Sequence, residues 1–165
     1  MSFRPFKARR KARQYALQAL YGWLISNNKL KDIEEDYLQE HKSERFDITY
    51  FQHLLYNVPK CSKELDMQIS PFLKRSLDRI DPVELTVLRL ATYELQYYVD
   101  IPYRVIINEA LELSKSFGAT DSYKLINSVL DLIAKKMRSA EHYTSKSKYN
   151  SKSRSKSKSK YNNKI

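Results

Sequence analysis

The sequence predicts an all-α protein, a compact bundle of about six to seven helices, and three observations point there. Two glycines and five prolines in 165 residues are too few for the turns of a sandwich or barrel. Apolar residues recur three and four apart along most of the chain, the period of a helix with one buried face. Between those runs stand Asp, Ser and Pro in the order that starts helices and Asn or Gly where they stop. The length suits one domain, or two small lobes sharing a boundary, with a real apolar core.

The first helix spans residues 7 to 26, with Ala12, Ala16, Leu17, Leu20, Tyr21 and Leu24 as its apolar stripe. "SNNK" at 26 to 29 breaks it, because Ser and Asn compete for backbone hydrogen bonds. A short, exposed acidic element with Ile33, Tyr37 and Leu38 follows. Asp47 caps the next helix, whose face includes Ile48, Phe51, Leu54, Leu55 and Val58 and continues to Leu65 and Ile69. Pro59 divides that run into two pieces or bends it.

"SPFLKRSL" predicts a short helix with Ser70 as cap, Pro71 at the first position, and Phe72, Leu73 and Leu77 buried. In "DPVE", Asp81 caps, Pro82 presets the first turn, and Glu84 sits where a capping-box carboxylate reaches back. The long helix it starts, carrying Val83, Val87, Leu88, Leu90, Ala91, Tyr93 and Leu95, should lie centrally, with Arg89 and Glu94 at its borders. "DIP" ends it. Pro102 opens a helix with Val105, Ile106, Ala110, Leu113 and Phe117 inward, and Gly118 closes it as a left-handed cap. Asp121 or Ser122 begins the last helix, with Leu125, Ile126, Val129, Leu130, Ile133 and Met137 buried and Lys135, Lys136 and Arg138 at the negative end of its dipole. Residues 1–139 therefore form the folded unit. Residues 140–165 alternate Ser and Lys and cannot bury enough surface to offset ordering entropy, so they should be a disordered basic tail.

Charge is distributed unevenly. Residues 1 to 13 carry +6 without an acid and residues 141 to 165 carry +7, leaving −2 of the formal +11 for the body between them. A near-neutral body with cationic ends suits a polyanion, whose counterions are released when Lys and Arg replace them; solubility is the plainer reading. No apolar run approaches the roughly 20 residues that span a bilayer, so the chain should be soluble and cytoplasmic with no membrane partner. A mitochondrial presequence is disfavoured because the basic start merges into a core-forming helix.

No catalytic or metal constellation is visible. His41, His53 and His142 are scattered, Cys61 stands alone as a small helix residue, and two glycines cannot build a phosphate loop. No enzyme activity, cofactor or metal is expected. Glu109 and Glu112, three apart, could hold a cation, but a solvated face or bonds to Arg104 or Lys115 fit better. "SFGATDSYKLIN" at 116 to 127 packs a helix end, a turn and a helix start together, offering backbone N–H groups to a phosphate beside Ser122, Tyr123 and Lys124; by composition alone it is a helix connection.

Three separated blocks, "RRKARQYALQALYGW" at 9 to 23, "DPVELTVLRLATYEL" at 81 to 95 and "IPYRVIINEALELSKSFGATDSYKLINSVLD" at 101 to 131, closely resemble the NusB family of transcription antitermination factors. The resemblance covers about residues 7 to 138. It implies two packed helical subdomains and a factor that binds boxA RNA of ribosomal RNA operon leaders with NusE, a ribosomal small-subunit protein, so that RNA polymerase reads through terminators. By this resemblance Arg9, Arg10, Lys11 and Arg13 lie on single-stranded RNA, joined by Lys124 and Asn127 at the corner. Tyr21 falls on a first-helix tyrosine tied to function, its ring equally suited to stacking or to the core. Asp121, capping the last helix, would tune how the corner meets an anion, and Glu84 would face NusE.

Two departures stand out. Leu125 occupies a position that is aromatic in some relatives, so stacking there is replaced by apolar contact. The Lys/Ser tail lies outside the shared pattern and would add nonspecific phosphate attraction; Tyr149 and Tyr161 within it could stack on bases. The rival readings are the NusB-like accessory domain of ribosomal RNA cytosine methyltransferases, which carry a catalytic domain, and a protein-binding helical scaffold. A homodimer is compatible with the sequence.

Overall fold

The computed structural model of the chain describes residues 5–141 and 143–144. Among them run seven α-helices and two 3-10 turns: α1 (Pro5–Ser26), α2 (Leu30–Glu40), α3 (Ile48–Lys60), α4 (Ser62–Ile69), turns at Ser70–Phe72 and Leu77–Arg79, α5 (Pro82–Tyr97), α6 (Tyr103–Phe117) and α7 (Ser122–Met137). Helix α1 packs on α2 and α3, while α5, α6 and α7 pack on one another. Helix α5 also touches α1, α3 and α4, so the two groups share one continuous core. None of these helices is long and apolar enough to cross a membrane.

Local chemistry explains most boundaries. Helix α1 ends at Asn27, which takes φ 57°; Asn tolerates the left-handed region because its short polar side chain bonds locally. Asp47 accepts a hydrogen bond from the Tyr50 N–H at 3.0 Å and starts α3. Pro59 falls in the last turn of α3, and α4 begins as a separate piece two residues after it ends. Asp81 accepts from the N–H groups of Val83 and Glu84, with Pro82 at the first helical position. Eleven of the sixteen α5 residues are buried, as a helix packed against five others requires. Its Leu88 is wholly inaccessible, as are Phe51, Leu54 and Leu55 of α3; truncating such a leucine to alanine costs about 2–5 kcal/mol.

Several expectations are corrected. "SPFLKRSL" forms a 3-10 turn that follows directly on α4 and the first residue of a second one instead of a helix, and Phe72, Leu73 and Leu77 are only partly buried. Phe117 is exposed. The acidic element is an eleven-residue helix that buries Ile33. Gly118 is no left-handed cap, since its φ is −90°. The position excludes a side chain for another reason: a Cβ there would lie 2.8 Å from the Ser114 carbonyl oxygen and 3.2 Å from Ser122 Cβ. Glycine lets the end of α6 and the start of α7 close on each other.

The end of the fold is tied down by Arg138, which is buried and donates to the carbonyls of Leu95, Tyr98 and Ile101 and to Glu141. Glu141 in turn accepts from the Tyr103 N–H. One guanidinium thus satisfies carbonyls at and beyond the C-terminus of α5 that the helix leaves orphaned. Residues 139–141 and 143–144 are helical; the rest of the expected tail, Tyr149 and Tyr161 included, lies outside the described residues.

Candidate nucleic-acid interface

Packing leaves α1 one solvent-facing stripe. Lys7, Arg10, Gln14, Gln18, Tyr21 and Ile25 are exposed or half-buried, and at 3.6 residues per turn they fall within an arc of roughly 80°. Ala8, Ala12, Ala16, Leu17, Ala19 and Leu20 fill the core side. The stripe starts in cations, continues through two amides and reaches the Tyr21 ring, 39% exposed. Between stacking and the core, the ring takes the solvent side. Gln14 and Gln18 were not singled out from the sequence, although their spacing from Arg10 and Tyr21 places them on this line.

Cations in the first turns oppose the positive end of the α1 dipole, and no acid in that turn relieves them. Acids from other elements do. Arg10 makes a forked pair with Glu109 of α6, Nε to Oε2 at 2.9 Å and Nη2 to Oε1 at 2.7 Å. The Arg10 side chain stays 45% exposed while that of Glu109 is 4% exposed, so the pair presents its positive side outward. Glu109 was expected to reach solvent, Arg104 or Lys115 and instead finds this partner across 99 positions. Its hydrogen bond holds the Arg10 guanidinium above the ordinary pKa.

Lys11 pairs with Glu44, which also accepts from the Tyr15 hydroxyl at 2.6 Å and meets His41 Nδ1 at 3.0 Å. Chiefly through the Lys11 hydrogen bond, the Glu44 carboxyl is lowered from 4.5 to about 2. Arg9 is half-buried, 3.8 Å from Asp47, with its guanidinium carbon 4.7 Å from the centre of the Tyr50 ring.

Arg13 is different. Its side chain is 2% exposed and that of its partner Glu94 is 1% exposed, with Nε to Oε1 at 2.8 Å. Nη2 donates to the Tyr50 hydroxyl at 3.2 Å, and that hydroxyl donates to Glu94. Burial raises the Glu94 carboxyl; at Arg13 desolvation is the largest single effect, but the charges of Glu94 and Tyr50 and the Glu94 hydrogen bond together exceed it and hold the guanidinium above its ordinary value. A guanidinium this enclosed does not reach a ligand on the surface, so the expectation that Arg13 lies on RNA is corrected. The expectation that Glu94 sits at the border of α5 fails with it. The signal was in the spacing: 13, 16, 17 and 20 form one helical stripe, and position 13 belongs to the core whatever its charge.

At the α6–α7 corner, Ser122 is buried and its hydroxyl donates to Glu84 Oε1 at 2.7 Å. Glu84 is 8% exposed. It does not reach back to complete a capping box; it crosses to α7, and its Oε2 has no partner among the described residues. A carboxylate so covered does not face an outside partner directly. Asp121 precedes α7 without capping it through its side chain, pairing instead with Lys124 at 2.9 Å. Lys124 and Asn127 are exposed on the first turns of α7, and Leu125 is partly buried.

A strip of alternating charge joins the two regions along α6. Glu109 holds Arg10, whose guanidinium is also drawn by Glu112. Lys115 Nζ lies 3.4 Å from Glu112 and 5.7 Å from the centre of the Tyr123 ring. The start of α1 and the start of α7 are thereby linked over one face. Among the described residues no group of three or more His, Cys, Asp or Glu is placed to hold a metal ion.

Known proteins agree with this architecture. A family model described as the NusB family matches residues 10–135. A Shewanella halifaxensis protein named transcription antitermination protein NusB is 48% identical over 130 residues, 79% of this chain and 96% of its own length. An Idiomarina loihiensis protein of the same name is 50% identical over 124 residues, 75% of this chain and 89% of its own. A solved structure of T. maritima NusB superposes with a TM-score of 0.67 at 34% identity, covering 82% of this chain and 93% of that one. The match runs from the basic start of α1 into the last turn of α7, across every element of the candidate interface: this chain belongs to the NusB family.

Proposed function

We propose that the chain is a non-enzymatic antitermination factor of the cytoplasm that binds boxA-type single-stranded RNA from ribosomal RNA operon leaders together with NusE and so promotes read-through by RNA polymerase. The observation that carries this is the α1 stripe, where Lys7 and Arg10 open a solvent-facing line that runs through Gln14 and Gln18 to Tyr21. Cations take phosphates, amides read unpaired base edges, and an exposed phenol stacks on a base. Arg9, Lys11, Lys124 and Asn127 extend the contact area, and each cation exchanges a protein carboxylate for a phosphate as it binds.

In this reading Arg13 holds α1 to α5 so that the stripe is presented at all. Asp121 competes with RNA for Lys124 and opposes phosphates with its own charge. Glu84 acts on NusE through the α5–α7 junction it bonds, since direct contact would require the Ser122 hydrogen bond to open. The body between the cationic ends is net acidic and complements a basic ribosomal protein.

The test is a titration of fluorescent boxA RNA and a scrambled strand, with and without NusE, into the wild-type chain and Tyr21→Ala. Preference for boxA, strengthened by NusE and weakened about tenfold by the substitution, is the expected result. Equal binding of both strands in every condition rejects the reading in favour of a protein-binding scaffold.

A further inference from the structure

Between the start of α1 and the α5–α6 connection lies an open cavity of about 340 Å³, lined by Phe6, Arg9, Arg13, Asp100, Pro102 and Val105 among others. The volume is at the small end for ligand pockets, roughly 300–1,000 Å³, suited to one nucleoside and too small for a folded segment. We infer that this cavity receives a single unpaired guanine base of the bound RNA, with Arg9 of α1 on one edge and Asp100 on the other; the inference rests on the RNA-binding reading above.

The chemistry of the walls selects the occupant. Phe6 and Pro102 supply apolar surface for the faces of a planar ring, and the exposed Phe6 already lies under the Arg10 guanidinium, 5.0 Å from its ring centre. Arg13 also lines the cavity, but it is buried and held by Glu94 and Tyr50, so it serves as wall and not as a donor to the ligand. The half-buried Arg9 supplies the available guanidinium, tied only loosely to Asp47 at 3.8 Å. Its N–H groups make no hydrogen bond among the described residues, and a simple anion would satisfy them.

Asp100 argues against a simple anion. It is exposed, and its carboxylate makes no hydrogen bond or ion pair among the described residues. A bare negative charge in the same cavity as Arg9 repels phosphate but accepts from N–H groups. The ligand must therefore present acceptors to α1 and donors to the α5–α6 connection. Guanine does so on separate edges, O6 and N7 accepting and N1–H and the 2-amino group donating. Adenine reverses the pattern at position 6, and uracil lacks the amino group. The arrangement would give the interface a base-reading position beside its phosphate contacts.

The test uses the full chain and single-stranded uridine dodecamers carrying one central guanine, inosine or adenine, or none, followed by fluorescence anisotropy at fixed salt. Wild type should bind the guanine strand about tenfold more tightly than the adenine strand, with inosine, which lacks only the 2-amino group, between them. Asp100→Asn should remove the difference between guanine and inosine while leaving the all-uridine strand unaffected. Phe6→Ala should weaken the guanine strand more than the all-uridine strand, with circular dichroism confirming an intact helix content. Equal wild-type affinity for the guanine, inosine and adenine strands overturns the inference, as does a guanine preference that survives Asp100→Asn. If wild type retains no strand even at low salt, it is the RNA-binding reading that has failed, and this one falls with it.

Discussion

Arg13 and Glu94, 81 residues apart, form an ion pair that is all but closed to solvent, with 2.8 Å between Nε and Oε1. It fastens α1 to the last turn of α5. A charge buried in this way is tolerated because its partner and the Tyr50 hydroxyl satisfy it, and removing one member leaves the other uncompensated.

Arg13→Ala should therefore destabilise the fold by about 3–5 kcal/mol, whereas Arg9→Ala, which loses a half-exposed 3.8 Å contact, should cost less than about 1 kcal/mol. Urea unfolding of both variants separates them. Similar small losses in the two would mean that Arg13 is not a core residue.

Glu109 withholds Arg10 from any external anion. Glu109→Gln should raise affinity for single-stranded RNA and steepen the slope of log affinity against log salt by about 0.7, the share of one added phosphate contact. Stability should fall by about 1.5–3 kcal/mol as the charge-assisted bonds go. An unchanged salt slope would show that Arg10 engages RNA no better when released.

Acid should act through Glu44. Its carboxyl is depressed from 4.5 to about 2, first by the Lys11 hydrogen bond and then by Tyr15 and His41. A depressed carboxyl contributes stability that is complete above about pH 4.5 and disappears as pH falls through about 2. The stability difference between wild type and Glu44→Gln should be constant from neutral pH to about 4.5 and shrink below it. A difference that does not vary with pH from 5 to 2 would contradict this assignment.

Gly118→Ala sets two effects against each other. At φ −90° an alanine is conformationally allowed and would stabilise by about 0.4–1 kcal/mol through the unfolded chain. Its Cβ would press on the Ser114 carbonyl at 2.8 Å, a backbone atom that cannot swing aside, at a cost of about 1–3 kcal/mol. Net destabilisation is expected in denaturant unfolding, with chemical-shift changes centred on residues 114 to 124; a more stable variant would disprove the close approach.

How legible all this was depended on the range of the interaction. Asp47 and the Asp81–Pro82 pair announced their helices because a cap involves only the next three residues. Gly118 announced a corner but not its reason, because the clash that demands glycine comes from Ser122 as well as from the preceding turn. Glu84 suited a capping box, yet an acceptor free to choose took the Ser122 hydroxyl of another helix. Arg13 was read as an RNA contact and Arg138 as a charge near the negative end of the α7 dipole, and neither was read as buried. Both stand on apolar stripes, Arg13 with Ala16, Leu17 and Leu20 and Arg138 with Leu130 and Ala134.

By itself the sequence determined that the chain is helical, where most of the helices begin, and that its cations gather at the two ends, because helical period, caps and charge sign are properties of neighbours along the chain. Only the tertiary structure decided which of those cations meet water. Arg10 looks outward and Arg13 inward, three positions apart on one helix, because Glu109 and Glu94 arrive from different helices; the free energy of a charge is set by what packing brings beside it.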